Sequence, residues 1–172
     1  MADHFAVIDV GSNAMKFQIG VLDQPKRYRV VEQDRQPVRL GHNVFRTGHL
    51  DPANVEAALK ALADFKTVAD KYQVKAIQAV GTSGLREACE GESFLKDAHQ
   101  LGVPMQILSA EDEARLISLG IMSGLRFHLP LGLFLGHWRR QCRTSRCKSK
   151  QYLLLIQYSP RSGSFDRRAI HR

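Results

Sequence analysis

A chain of 172 residues can bury one respectable core, or most of two small ones. Its net charge of +8 invites a nucleic-acid reading, but the distribution argues against it: Met1 to Leu135 carries 15 Lys/Arg against 16 Asp/Glu, and Gly136 to Arg172 carries 10 against the single acid Asp166. The basicity lies wholly in the last stretch, so the overall isoelectric point says nothing about the rest. Met1-Ala-Asp-His4 and the short apolar run after it do not make a cleavable leader, and Leu129–Leu135 is far below membrane-spanning length. Cys89, Cys142 and Cys147 form no disulfide framework, so a reducing, cytoplasmic setting is expected, with no membrane partner.

Phe5 to Val10 is an apolar, β-branched run that reads as a buried strand. Gly11-Ser12-Asn13 then makes a turn, and Met15 to Ile19 alternates like a returning strand. The tip of such a hairpin presents backbone N–H groups to an anion, and Gly11 removes the Cβ that would hold a phosphate off. Asp9 beside it can hold a divalent metal or a water. An ordinary hairpin with a satisfied Asp explains the same residues equally well.

Arg27 to Gln33 reads as a third strand, with Tyr28, Val30 and Glu32 placed on one face. Pro37 to Gly41 leads into a polar loop reaching His49; His42 and His49 lack further ligands at metal spacing and read as solvated. Asp51-Pro52 is a helix start, and Val55, Ala58, Leu59, Leu62, Phe65 or Lys66, and Ala69 continue it to about Lys71. Val74 to Val80 alternates as a strand and runs into Gly81-Thr82-Ser83-Gly84, with a helix starting at Leu85-Arg86-Glu87-Ala88. Hydroxyl and N–H groups at a strand-to-helix handover suit phosphate, and Arg86 can clamp it bidentately; a plain N-cap with a surface arginine is as common. Gly91 to Leu101 reads as a helix and Val103 to Leu108 as a strand. Ser109 then caps a helix running to Gly124, opening with Glu111, Asp112 and Glu113. Acids there complement the helix dipole, or one of them faces a cleft as a general base; position does not choose between these.

Ile8-Asp-Val-Gly-Ser-Asn13, Gly81-Thr-Ser-Gly-Leu-Arg-Glu-Ala88 and Leu108-Ser-Ala-Glu-Asp-Glu-Ala-Arg-Leu116 stand in order at suitable spacing. Together they resemble the exopolyphosphatase/guanosine pentaphosphate phosphohydrolase (Ppx/GppA) family over roughly residues 4–125. The resemblance implies an α/β, ribonuclease-H-like lobe of the actin/sugar-kinase/heat-shock ATPase superfamily. It implies Mg²⁺-dependent release of terminal phosphate from polyphosphate or pppGpp, and a full-length protein that is often a homodimer. Gly11, Ser12 and Asn13 would form the first phosphate loop with Asp9 at the metal; Thr82, Ser83 and Arg86 would touch substrate phosphates. Glu113 matches the base that activates water. Ala14, Lys16 and Gly84 depart from the family's usual Ser, Arg and Ala.

The family should next show a strand ending in a second phosphate loop, D-I-G-G-G-S-x-E. Here Leu133-Phe-Leu135 looks like that strand but runs into Gly136-His-Trp-Arg-Arg-Gln-Cys-Arg143. With permitted codons (GGA CAT TGG CGG CGG CAG TGT CGA ACT), moving one base forward yields D-I-G-G-G-S-V-E. Trp138 has one codon, which forces the first of those glycines. The same offset turns Ser159–Arg167 into P-L-G-A-V-R-L-T-E, again like the family. An inserted base near Gly136 accounts for both matches. The expected organisation is a phosphatase lobe over residues 1–135 and an out-of-frame, basic, irregular tail over 136–172, leaving a fragment with little activity. On that reading the Arg-rich tail is not an RNA-binding arm, Cys142-x₄-Cys147 is not half a metal site, and Tyr152–Tyr158 is an aggregation-prone run rather than a strand. The competing classes are a nucleic-acid-binding protein using the tail, with steeply salt-dependent binding, and a superfamily kinase or ATPase.

Overall fold

Alternation sets the first strand: in β1 (His4–Val10) Ala6, Ile8 and Val10 are buried while Val7 is exposed. The chain returns antiparallel as β2 (Met15–Gln24), which buries Met15, Phe17, Ile19 and Val21 on the same side, and again as β3 (Arg27–Gln36). The register shifts between Ile19 and Gly20, so Ile19 stands opposite Glu32 while Gly20 stands opposite Val30. This bulge corrects the expected face. Tyr28 and Val30 share one side of the sheet, and Glu32 takes the other, where it accepts the Tyr72 hydroxyl at 2.9 Å. The computed structural model describes residues 3–24, 27–124, 152–159 and 164–171.

The polar loop expected up to His49 contains one helical turn, α1 (Val44–Thr47), because Val44 is buried and left-handed Asn43 and Gly48 close both ends. α2 (Pro52–Lys71) starts as expected, with the Asp51 carboxylate accepting the Ala53 N–H at 2.9 Å. Its buried stripe is Ala58, Ala61, Leu62, Phe65 and Ala69, and the Phe65 ring stacks on Phe17 with centroids 4.9 Å apart. β4 (Ala76–Gly81) then pairs parallel with β1, which demands a crossover such as α2 supplies. α3 (Ser83–Arg86) is a single turn, α4 (Gly91–Gln100) buries Phe94 and Ala98, and β5 (Met105–Ile107) pairs parallel with β4. The sheet order is β3-β2-β1-β4-β5.

Met1–Ser109 forms one compact unit and Ala110–Arg172 a second. The second holds α5 (Ala110–Gly124) and an antiparallel pair, β6 (Tyr152–Ser159) with β7 (Ser164–His171). The pair corrects the reading of Tyr152–Tyr158 as something other than a strand. Leu153 to Ile156 is strongly β-prone, and Ser164–His171 supplies the register partner across Pro160-Arg-Ser-Gly163. The strand expected at Leu133–Leu135, the 135/136 boundary, Cys142 and Cys147 lie outside the described residues. No helix among the described residues is long and apolar enough to cross a membrane.

Candidate functional site

Two polar turns leave the C-terminal ends of adjacent parallel strands, the place where open α/β sheets bind ligands. After β1 comes Gly11–Ala14, and after β4 comes Thr82, opening α3. They meet directly: Ser12 Oγ lies 3.2 Å from Ser83 Oγ, and the Thr82 N–H donates to the Val10 carbonyl at 3.3 Å. A strap from the end of β3 holds the first turn from the other side. The Arg39 N–H donates to the Asn13 carbonyl at 3.0 Å and the Gly41 N–H to the Ser12 carbonyl at 2.8 Å. Arg39 takes a left-handed conformation (φ 50°) to do so, and Asn54 Nδ2 donates to its carbonyl at 3.1 Å.

A Cβ at Gly11 would come within 2.9 Å of the Ala14 carbonyl oxygen, so the tight turn requires glycine there. Asp9 is half-buried beside it, opposite Lys16 in the hairpin, with Lys16 Nζ 3.6 Å from its Oδ2. Thr82 and Ser83 are half-buried and Asn13 is exposed. Arg86 is not a plain surface arginine. It is half-buried, and its Nη1 donates to the Leu108 carbonyl at 2.7 Å, beside an open hollow of about 430 Å³ that Glu92 and Ser109 also line.

The structure therefore gathers Asp9, Gly11, Ser12, Asn13, Thr82 and Ser83 at one end of one unit, and places Arg86 at the end of the α3 turn with its guanidinium on the Leu108 carbonyl. Glu113 belongs to the other unit, half-buried in the first turn of α5 beside Glu111 and Asp112. His49 is an exposed loop histidine, as expected, and it also has a partner: its Nδ1 stands 2.7 Å from Glu90 Oε1, while Glu90 Oε2 accepts the Leu50 N–H at 3.0 Å. The Leu50 N–H and then the His49 ring hold the Glu90 carboxyl below its ordinary range. Among the described residues no three His, Cys, Asp or Glu side chains gather into a metal cluster. Sequence reasoning missed Gly41, whose backbone approaches Ser12 so closely that a Cβ would lie 2.6 Å from Ser12 Cβ. A lone glycine after Leu40 carries no local signal of a contact made across the fold.

This sheet order, with its antiparallel hairpins and parallel crossovers, is that of a ribonuclease-H-like α/β lobe with the actin-like fold. Within that class the chain belongs to the Ppx/GppA phosphatase family, whose model matches residues 21–134. It is similar to the crystal structure of the Aquifex aeolicus Ppx/GppA family member (18% identity, TM-score 0.79, covering 99% of this chain and 52% of that one). It is also similar to an exopolyphosphatase-like protein (22%, TM-score 0.75, 99% and 51%) and to an exopolyphosphatase from Cytophaga hutchinsonii (17%, TM-score 0.72, 98% and 50%). The chain spans about half the length of these structures.

Proposed function

We propose that this chain is the N-terminal part of a cytoplasmic phosphoanhydride hydrolase that releases terminal phosphate from polyphosphate or pppGpp. The observation that carries the reading is the meeting of Ser12 and Ser83, which joins the two turns expected to hold phosphate. Gly11 to Asn13, Thr82 and Ser83 offer N–H and hydroxyl donors at the ends of β1 and β4, where charge on a phosphoryl group can be absorbed. Arg86, the last residue of α3, adds positive charge beside the Leu108 carbonyl. Glu113 takes the proton of the attacking water.

A divalent metal fits the donors present. Magnesium usually takes one or two carboxylates and fills its remaining positions with water and substrate phosphate. Asp9 supplies such a carboxylate, so the lone acid suits an ion brought in part by substrate. When bound, Mg²⁺ would neutralise phosphate charge; Asp9 would hold it, and the N–H groups of the first turn would orient the terminal phosphate.

The lobe ends in frame near residue 135, and 136–172 is an out-of-frame basic tail replacing a second phosphate loop. Substrate then has half a clamp, and the chain turns over slowly or not at all. Sequencing the DNA across codons 130–140 tests the frame: coding bases that do not yield D-I-G-G-G-S one base forward overturn it. A malachite-green assay on polyphosphate with Mg²⁺ tests the rest. The 172-residue chain should release little phosphate. The chain read in the restored frame should release it readily; an inactive restored chain rejects the hydrolase reading.

A further inference from the structure

Ser12 is walled in by two glycines from different elements. A Cβ on Gly41 would sit 2.6 Å from Ser12 Cβ and 2.9 Å from its Oγ; a Cβ on Gly84 would sit 2.9 Å from that Oγ and 3.2 Å from Gly41 Cα. Contacts between a Cβ and its neighbours below about 3 Å are essentially never tolerated, and Gly41 leaves only the backbone to move. Both glycines are fully buried, Gly41 on the strap after β3 and Gly84 within α3. The space where their side chains would stand is what lets Ser12 Oγ reach Ser83 Oγ.

The chemistry of that contact is specific. Each serine hydroxyl has one proton and two acceptor lone pairs. One proton lies between the two oxygens, and the other remains to donate outward from a point fixed on both turns at once. We infer that Gly41 and Gly84 are positioning residues that lock the Ser12–Ser83 hydroxyl pair into a single donor site for the terminal phosphate of a phosphoanhydride chain. The inference rests on the phosphohydrolase reading and adds to it which residues fix the donor.

The test is tripolyphosphate binding to the 172-residue chain by isothermal titration calorimetry, alongside thermal unfolding. Ser83→Ala removes the partner hydroxyl with no added bulk and should weaken binding about tenfold, the usual effect of losing a hydrogen bond to a charged group, with only a small fall in Tm. Gly84→Ala should weaken binding to a similar degree, and Ser83→Ala/Gly84→Ala should be no weaker than the worse single variant, since both act through one hydroxyl pair. A Gly84→Ala chain that is less stable but binds with the wild-type Kd overturns the inference, as do additive losses in the double variant. Should Gly84→Ala not fold, Ser83→Ala decides alone: wild-type affinity there rejects the hydroxyl pair as a donor. A wild-type chain that does not bind tripolyphosphate overturns the inference; the phosphohydrolase reading, which gives this chain half a clamp, stands or falls separately on phosphate release by the chain read in the restored frame.

Discussion

Lys16 Nζ stands 3.6 Å from Asp9 Oδ2, across the antiparallel hairpin and beside the first polar turn. The lysine is 63% exposed and the aspartate 40%, so the pair adds little to stability, about 0–1 kcal/mol. It matters more for a divalent cation at Asp9, because a lysine ammonium at about 4 Å would repel a doubly charged ion by about 2 kcal/mol in water-like surroundings, roughly thirtyfold in affinity before salt screening. Lys16→Gln should leave Tm almost unchanged and tighten Mn²⁺ binding about tenfold in a calorimetric titration. Asp9→Asn should abolish that binding; unchanged affinity in both variants would place the ion elsewhere.

Phe17 and Phe65 stack nearly parallel, 5° between planes, with both side chains fully buried. They pin the central face of α2 to the second strand of the opening hairpin, and so hold the scaffold of the first turn. Phe65→Ala removes a large buried ring and should cost about 3–5 kcal/mol in urea unfolding. Phe65→Leu should cost clearly less, because it keeps most of the apolar volume.

The elements of the first unit were legible because their signals are local. Asp51-Pro52 marks a cap whose bond is made, and the alternation of Phe5–Val10 marks a strand with one buried face. The candidate turns were legible as glycine and hydroxyl clusters at strand ends. What they do together was not: Ser12 touching Ser83 depends on a parallel register between β1 and β4, and Gly41 closing over Ser12 on a strap from β3, neither of which a local pattern encodes. The bulge at Ile19/Gly20 was hidden for a similar reason. It lets the Tyr28 ring lie where a Cβ of Gly20 would stand, a pairing visible only once β2 and β3 are aligned. In Tyr152–Tyr158 the β-propensity is local and plain, but what makes the run a strand is its pairing with Ser164–His171, which propensity alone does not show.

Glu90 gives a pH test with a defined sign. Its carboxyl is held below its ordinary 4.5, first by the Leu50 N–H and then by His49. A depressed carboxyl contributes stability that is present above pH 4.5 and is lost as pH falls through the lower folded value. Glu90→Gln should therefore lower Tm at pH 7, and the gap to wild type should close as both are taken well below pH 4.5. Asp3, held low by Lys75, titrates in the same direction but is common to both proteins, so the difference isolates Glu90. A gap that persists at low pH would mean the carboxylate charge is not what holds the loop.

Gly81 and Gly91 both line the packing of Leu85, yet their substitutions should part company. A Cβ on Gly81 meets the flexible ends of Leu85 and Met105 at 2.7 and 2.9 Å, and those ends can swing. A Cβ on Gly91 meets the Leu85 carbonyl oxygen at 2.5 Å, which moves only if the α3 turn moves. Gly91→Ala should cost about 2–3 kcal/mol by chemical unfolding, the upper part of the overpacking range, and Gly81→Ala about 1 kcal/mol or less. Equal effects would show that the α3 turn yields as easily as a side chain.

Glu111, Asp112 and Glu113 stand together in the first turn of α5, so all three favour the helix dipole, by about 0.3–1 kcal/mol each. Stability alone cannot tell a base from a dipole partner, but rate can. In the chain read in the restored frame, Glu111→Gln, Asp112→Asn and Glu113→Gln should lower Tm to similar small extents. Phosphate release from polyphosphate with Mg²⁺ should fall about 10²–10⁴-fold for Glu113→Gln, the range lost when a general base is removed, and only a few-fold for the other two. The same loss in all three would assign the acids to the dipole and move the base elsewhere.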